Sequence, residues 1–218
     1  MKKLSICFTI RFHYPEHDPR FAWRYKHFIE NVLPRIKAQT YKDFDICIWC
    51  NPWHRYHFES IDGVKTFTVK NDPTRYKQHR HNPNKKFFHD FVKYEETIGL
   101  EKYDLQLGLD SDDYIEPNYL YEVLKVLDMY AGENKSIHIC FQPEMIRLDT
   151  GKIEQFKPYT LNRGSAFMAL YQPNKEDYRF IYEESHISII RKADIKVVLP
   201  KGYCMATATK GYNESTGV

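Results

Sequence analysis

The stretch LQLGLDSDDYIEP, from Leu105 to Pro117, places three aspartates directly after a run of apolar residues. Such an apolar run is typical of a strand that is covered on both faces in a parallel sheet. Three carboxylates this close together repel one another and raise one another's pKa, so a nearby group must offset their charge. Because ligands of open α/β sheets bind beyond the carboxyl ends of the strands, Asp110, Asp112 and Asp113 are predicted to lie at a binding site.

Strand-like and helix-like segments alternate on either side of this stretch. The pattern predicts strands at residues 4–12, 43–51, 64–70 and 103–109, and helices at residues 21–41, 85–100 and 116–132. This alternation favours an α/β fold with a mainly parallel central sheet flanked by helices. The second half is richer in strands, which predicts a smaller strand-rich C-terminal part. Residues 71–84 are expected to form a loop, and the whole chain, 1–218, a single domain.

The composition excludes several classes of protein. The chain has 218 residues, of which 42% are hydrophobic, and its formal net charge is +3. It is therefore expected to be globular, and the charge is too small to predict nucleic-acid binding. No segment approaches 18 apolar residues, and a charged Arg11 interrupts the first apolar run, so neither a transmembrane helix nor a signal peptide is expected. These features predict a cytoplasmic protein, free or at the inner face of a membrane.

A hard cation would explain the three aspartates. Asp110 and Asp112 project to the same side if the backbone remains extended, and Mg²⁺ and Mn²⁺ prefer carboxylate oxygens shared with substrate phosphates. The alternative is helix capping, because acidic residues before the helix predicted from residue 116 would complement its dipole. Asp113 could serve that purpose alone, whereas three acids exceed what a cap requires.

Several motifs carry a resemblance to a known family. The segment LGLDSDDYI resembles the D-x-D(D) motif of nucleotide-sugar glycosyltransferases with the GT-A fold. Two further segments, FTIRFHYPE (8–16) and WRYKHFIENVLPRIKAQTYKDFDICIW (23–49), resemble the rhamnosyltransferase-like group within that fold. The resemblance covers most of residues 4–115 and weakens after them.

The resemblance implies a function. It implies transfer of a sugar, with rhamnose suggested, from a nucleotide diphosphate-sugar donor to a glycan or lipid-linked acceptor, as in polysaccharide biosynthesis. Residues 1–115 would form the nucleotide-sugar-binding half, and residues 116–218 the acceptor side. The implied cofactor is Mn²⁺ or Mg²⁺, and its implied ligands are Asp110, Asp112, Asp113 and a late histidine, His186.

Other residues are candidates for contacts with the substrates. Arg11, Asn51, Arg80 and Asp110 are predicted to bind the donor, and Glu183 or Glu184 to act as the general base of an inverting transfer. Asn51 stands where many family-two GT-A enzymes carry an aspartate for the nucleotide base. Several of these candidates also have a structural alternative. Arg11 could pair with a local carboxylate, Arg80 could belong to a solvated loop, and the late acids and His186 could lie on the surface.

The sequence leaves two other functions open. A metal-dependent phosphotransferase or phosphatase could use the aspartates, although haloacid-dehalogenase-like enzymes carry their D-x-D on the first strand and this one is on the fourth. A non-catalytic module that binds nucleotides or glycans is the second alternative.

Overall fold

The computed structural model describes residues 3–12, 14, 16–68, 78–79, 82–86, 102–155, 167–174, 176, 181, 191–200 and 202–208. Its helices are α1 (Pro19–His27), α2 (Leu33–Lys37), α3 (Tyr56–Glu59) and α4 (Tyr119–Met129). A π-helical turn, Phe28–Val32, joins α1 to α2, and a 3₁₀ turn, Pro52–His54, precedes α3. Its strands are β1 (Ile6–Phe12), β2 (Asp45–Cys50), β3 (Val64–Thr68), β4 (Gln78–His79), β5 (Asn82–Lys86), β6 (Leu105–Asp110), β7 (Tyr114–Ile115), β8 (Ile137–Phe141), β9 (Glu144–Arg147), β10 (Ile153–Gln155), β11 (Met168–Tyr171), β12 (Ile195–Leu199) and β13 (Cys204–Ala208).

Seven strands form the central sheet in the order β12-β8-β11-β6-β1-β2-β3. The strands β6, β1, β2 and β3 are parallel to one another, and β8 is parallel to β12. Only β11 among these seven runs antiparallel, with Met168 opposite Gly108 and Tyr171 opposite Leu105 of β6. A second sheet has the order β10-β9-β13-β7. The predicted mainly parallel sheet with a smaller strand-rich C-terminal part is therefore confirmed.

Alternate residues of the central strands enter two different cores. Phe8, Ile10 and Leu107 belong to the larger core, which also holds the buried faces of α1, α2 and α4. Trp49 and Met168 belong to a smaller core on the opposite face of the sheet. This double burial explains why β1 and β6 read as nearly continuous apolar runs.

The C-x-x-C segment of β2 is divided between these two cores. Cys47 lies in the smaller core and Cys50 in the larger, as expected for residues three apart in an extended strand. Both thiols are buried, and neither forms a disulfide. Their placement on opposite faces is incompatible with a shared zinc ion or a disulfide.

Pro34 shapes the first helical segment. It stands just inside the start of α2, where its missing N–H requires no partner. The preceding turn widens to π geometry, and the Leu33 N–H bonds the Phe28 carbonyl five residues back. The wider turn gives the proline ring room that a regular helix would deny it.

Gln39 joins the end of this helical segment to the start of α4. Its buried amide donates to the Glu116 carbonyl at 2.8 Å and accepts from the Leu120 N–H at 2.9 Å. The Thr40 N–H also bonds the Pro117 carbonyl at 2.8 Å. These bonds fix the segment that follows the aspartates against α2.

One expectation about local structure is wrong. The predicted loop at 71–84 contains β4 and the start of β5, which pair as an antiparallel hairpin. After α4 the chain forms β8 and β9, which belong to different sheets. Pro143 lies between them, and a residue without a backbone N–H interrupts a sheet ladder. Apart from the residues of β5, the helix predicted at 85–100 lies outside the described residues.

None of the helices in the described ranges has the length and apolar character needed to span a bilayer.

Candidate functional site

The aspartates lie at the edge of the sheet where the parallel strands β6, β1, β2 and β3 end. After β1 the chain builds β2 and β3 on one side, and it later returns to place β6 on the other side. The edge beside β1 is therefore a topological switch point, the usual location of ligand sites in open α/β sheets.

Arg11 and Asp110 face each other across this switch point. They are register partners on β1 and β6, so their side chains leave the sheet on the same face. Arg11 Nη2 donates to Asp110 Oδ1 at 3.1 Å, and the two side chains are 19% and 37% exposed. Arg11 thus pairs with a local carboxylate, and its contact with a nucleotide stays a prediction. The pair is open enough for an incoming ligand to reach both groups.

Asp112 forms a buried ion pair with Arg24 of α1. A guanidinium nitrogen contacts the Asp112 carboxylate, and the two side chains are only 7% and 8% exposed. Two other residues hold the Asp112 carbonyl: Thr207 Oγ1 donates to it at 2.7 Å, and His27 Nε2 lies 3.3 Å away. Because α1, β13 and the loop after β6 all contribute, Asp112 is fixed in place and its charge is offset.

Asp113 is buried beside these groups. Its Oδ1 accepts from the Thr207 N–H at 3.0 Å. Burial, and secondarily the charge of Asp110, raise the pKa of the Asp113 carboxyl well above its usual range. Asp113 makes no cap on α4, whose N-cap is Asn118 and whose Leu120 N–H bonds Gln39 instead. The helix-capping explanation of the aspartates is therefore not supported.

His27 is stacked between two aromatic rings. Its ring centroid lies 5.1 Å from that of Trp23 and 5.5 Å from that of Tyr114. Burial, and next the charge of Arg24, lower the pKa of His27 from 6.5 to about 4. The imidazole is thus neutral at pH 7. Since its partner, the Asp112 carbonyl, only accepts, Nε2 carries the hydrogen.

Asn51 follows β2 at the same edge of the sheet and is fully buried. Its backbone is extended, with φ −68° and ψ 153°. Within the described part of the chain, neither its amide nitrogen nor its amide oxygen has a hydrogen-bond partner. A buried amide without partners is costly, so this position suits a ligand that offers both a donor and an acceptor.

The residues present fit a metal ion only in a limited way. Among the described residues, no group of three histidine, cysteine, aspartate or glutamate side chains is placed to hold one. Asp112 and Asp113 are buried and engaged, whereas Asp110 is partly exposed. Mg²⁺ is usually held by one or two carboxylates together with substrate phosphates, so Asp110 and a diphosphate form a suitable donor set. The ligand roles of Asp112 and Asp113 stay predictions.

Four predicted site residues lie outside the described residues, and their roles also stay predictions. They are Arg80, Glu183, Glu184 and His186.

Sequence reasoning missed three residues of the site: Arg24, His27 and Thr207. A signal for the first exists in the sequence. Arg24 falls three residues after Phe21 and four before Phe28, within the apolar face of the helix, where a charge requires a buried partner. Thr207, in a polar C-terminal segment 95 residues from Asp112, gives no comparable signal.

Comparisons with known proteins agree on the fold. A protein-family profile described as "Putative rhamnosyl transferase" matches residues 9–217. No curated protein sequence matches the chain. The structure of S. aureus TarS 1-349 in complex with UDP-GlcNAc is similar, with a TM-score of 0.58 and 13% identity over 99% of this chain and 62% of that one. A second structure of S. aureus TarS 1-349 has a TM-score of 0.53 and 12% identity over 94% and 60% of the two chains.

These matches confirm the resemblance to GT-A-like glycosyltransferases that the sequence predicts. The chain spans less than two thirds of the length of the TarS 1-349 structures.

Replacing Arg24 tests the buried ion pair. Arg24→Met leaves the Asp112 carboxylate buried without its counter-ion, so we expect the free energy of unfolding to fall by about 3–5 kcal/mol. Urea unfolding measures this loss. The double variant Arg24→Met/Asp112→Leu removes both charges and should recover most of the lost stability. If the double variant is as unstable as the single one, the pair does not carry this energy.

His27 should make stability depend on pH. Its folded pKa of about 4 lies below its ordinary value of 6.5, so the unfolded chain takes up a proton first as the pH falls through this window. As the pH falls from 7 to 5, this proton uptake lowers the free energy of unfolding by about 2 kcal/mol. Urea unfolding at both pH values should show a drop that is about 2 kcal/mol smaller in His27→Gln than in the wild type. Equal drops would contradict the lowered pKa.

Proposed function

The chain belongs to this rhamnosyl transferase family, and we propose that it transfers a sugar from a nucleoside diphosphate-sugar donor to a hydroxyl group of a glycan or lipid-linked acceptor. The observation that carries the proposal is the partly exposed Arg11–Asp110 pair at the switch point of the sheet. It offers one positive and one negative group to the same ligand. A diphosphate with its counter-cation requires that combination.

The donor would lie across the ends of β6, β1 and β2. Its diphosphate would face Arg11 and Asp110, and its base would satisfy the buried amide of Asn51. An amide both donates and accepts, unlike the aspartate of many related enzymes, so it can pair with a base edge that does the same. The family's description favours rhamnose as the sugar, and the complex of the similar TarS structure makes uridine diphosphate the first nucleotide to test.

Stabilising the leaving diphosphate would be the main catalytic task of this edge. The Arg11 guanidinium would donate hydrogen bonds to phosphate oxygens as their negative charge develops. Asp110 would hold Mn²⁺ or Mg²⁺, which neutralises diphosphate charge when bound. Glu183 or Glu184 would accept the proton of the attacking acceptor hydroxyl. Such a sugar transfer would serve polysaccharide biosynthesis.

Thermal stability measured with nucleotides tests the donor site. UDP, dTDP and GDP, each with and without Mn²⁺, should raise the melting temperature where they bind, because they bind only the folded state. We expect a Mn²⁺-dependent rise with one diphosphate. Asp110→Asn should abolish that rise, whereas Asp128→Asn, which removes an exposed carboxylate of α4, should retain it.

A rise that survives in Asp110→Asn would remove Asp110 from the donor site. If no nucleotide raises the melting temperature of the wild type, the donor proposal itself is wrong.

Replacing the two glutamates separates an enzyme from a binding module. If one of them is the general base, Glu183→Gln or Glu184→Gln should reduce sugar transfer about 10²–10⁴-fold and leave the nucleotide-induced thermal shift unchanged. Glu133→Gln, an exposed position after α4, is the matched control. Full transfer activity in both variants would exclude them as the base.

A further inference from the structure

We infer that Arg11 is an exchangeable counter-ion of Asp110, which couples binding of the divalent cation to binding of the donor diphosphate. The inference rests on the proposed function and extends it. Because of this counter-ion, the site binds a cation weakly until a diphosphate is present.

The two ion pairs of the aspartate segment differ in exposure. Asp112 and Arg24 are both more than 90% buried, and Thr207 also donates to the Asp112 carbonyl. Asp110 and Arg11 are 37% and 19% exposed. Breaking a buried pair leaves a charge away from water, whereas a partly exposed pair can separate with solvent or a ligand replacing each partner. Of these two pairs, only the one at the strand ends can exchange partners easily.

A cation that approaches without a nucleotide meets an occupied carboxylate. Arg11 Nη2 lies 3.1 Å from Asp110 Oδ1, so the cation meets a positive charge at the carboxylate it would bind. Like charges at such separations repel even when solvent screens them. The charge of Asp112 provides little extra attraction, because Arg24 already offsets it. We therefore expect weak binding of the cation alone.

A diphosphate that reaches this edge changes the balance. Its oxygens offer the planar guanidinium of Arg11 a bidentate partner. When Arg11 turns to the phosphates, Asp110 gives up its contact with the guanidinium, and the carboxylate and phosphate oxygens together can bind the cation. Arg11 thus strengthens binding of the nucleotide, and it weakens binding of the cation when no nucleotide is present.

Linkage makes this coupling measurable from either side. If the diphosphate increases the cation's affinity by some factor, the cation increases the diphosphate's affinity by the same factor. We expect a factor of at least ten in the wild type. In Arg11→Met, cation binding without nucleotide should become at least threefold tighter, diphosphate binding should weaken, and the coupling factor should shrink.

The experiment is a Mn²⁺ titration of the folded protein, in which electron paramagnetic resonance reports free Mn²⁺. Titrations are run without nucleotide and with saturating UDP, dTDP or GDP, and Mn²⁺ bound by each nucleotide alone is subtracted. The wild type is compared with Arg11→Met and with Arg147→Met. The control also removes one arginine of a partly exposed ion pair, the one with Asp149 on the β9–β10 hairpin, and should behave like the wild type.

Arg11→Lys and Arg11→Gln keep the test decisive if Arg11→Met does not fold. Lysine retains the charge and should retain weak cation binding without nucleotide, whereas glutamine should resemble methionine. If the diphosphate binds and the Arg11→Met and Arg11→Gln proteins hold Mn²⁺ no more tightly than the wild type, the counter-ion role is wrong and the donor site stands. If no diphosphate binds the wild type, the proposed function fails and this inference fails with it.

Discussion

A buried ion pair between Arg24 and Asp112 is the constraint on which the site depends. A charge removed from water must keep its partner, so α1 and the loop after β6 cannot move apart without a large cost in free energy. Thr207 and His27 add hydrogen bonds to the Asp112 carbonyl from β13 and α1. The loop is therefore held by distant parts of the chain, and Asp110, two residues earlier, is left at the rim of the sheet.

The three aspartates lie within four residues of sequence and have three different environments. Asp110 is partly exposed and faces Arg11, Asp112 is buried against Arg24, and Asp113 is buried with a raised pKa. The repulsion expected of three neighbouring carboxylates is thus reduced by two arginines and by a shift toward a neutral acid. The motif looks like one acidic cluster in the sequence, but its members have different roles in the structure. The Asp110 carboxylate is open to ligands, whereas Asp112 and Asp113 fix the loop.

The sequence predicts those features that depend on local patterns. The apolar runs of β1 and β6 predict buried parallel strands, because strand geometry repeats every two residues. The end of the second run predicts that the aspartates lie at the carboxyl ends of the strands. Arg24, Thr207 and Gln39 have partners 77 to 95 residues away in sequence, and no local period records such distances. The break between β8 and β9 is predictable only in part. Pro143 indicates that the strand ends there, but it does not indicate that β8 and β9 join different sheets.

The reversed direction of β11 has a consequence for the evolution of this fold. Because Met168 lies opposite Gly108 near the end of β6, the chain enters β11 at the rim that carries Asp110 and leaves it at the far side. A substitution at Phe167, directly before β11, therefore acts near this rim, while the ladder from Met168 to Tyr171 keeps the sheet unchanged. Descendants of one ancestral chain could acquire new specificities there and inherit the same stable scaffold.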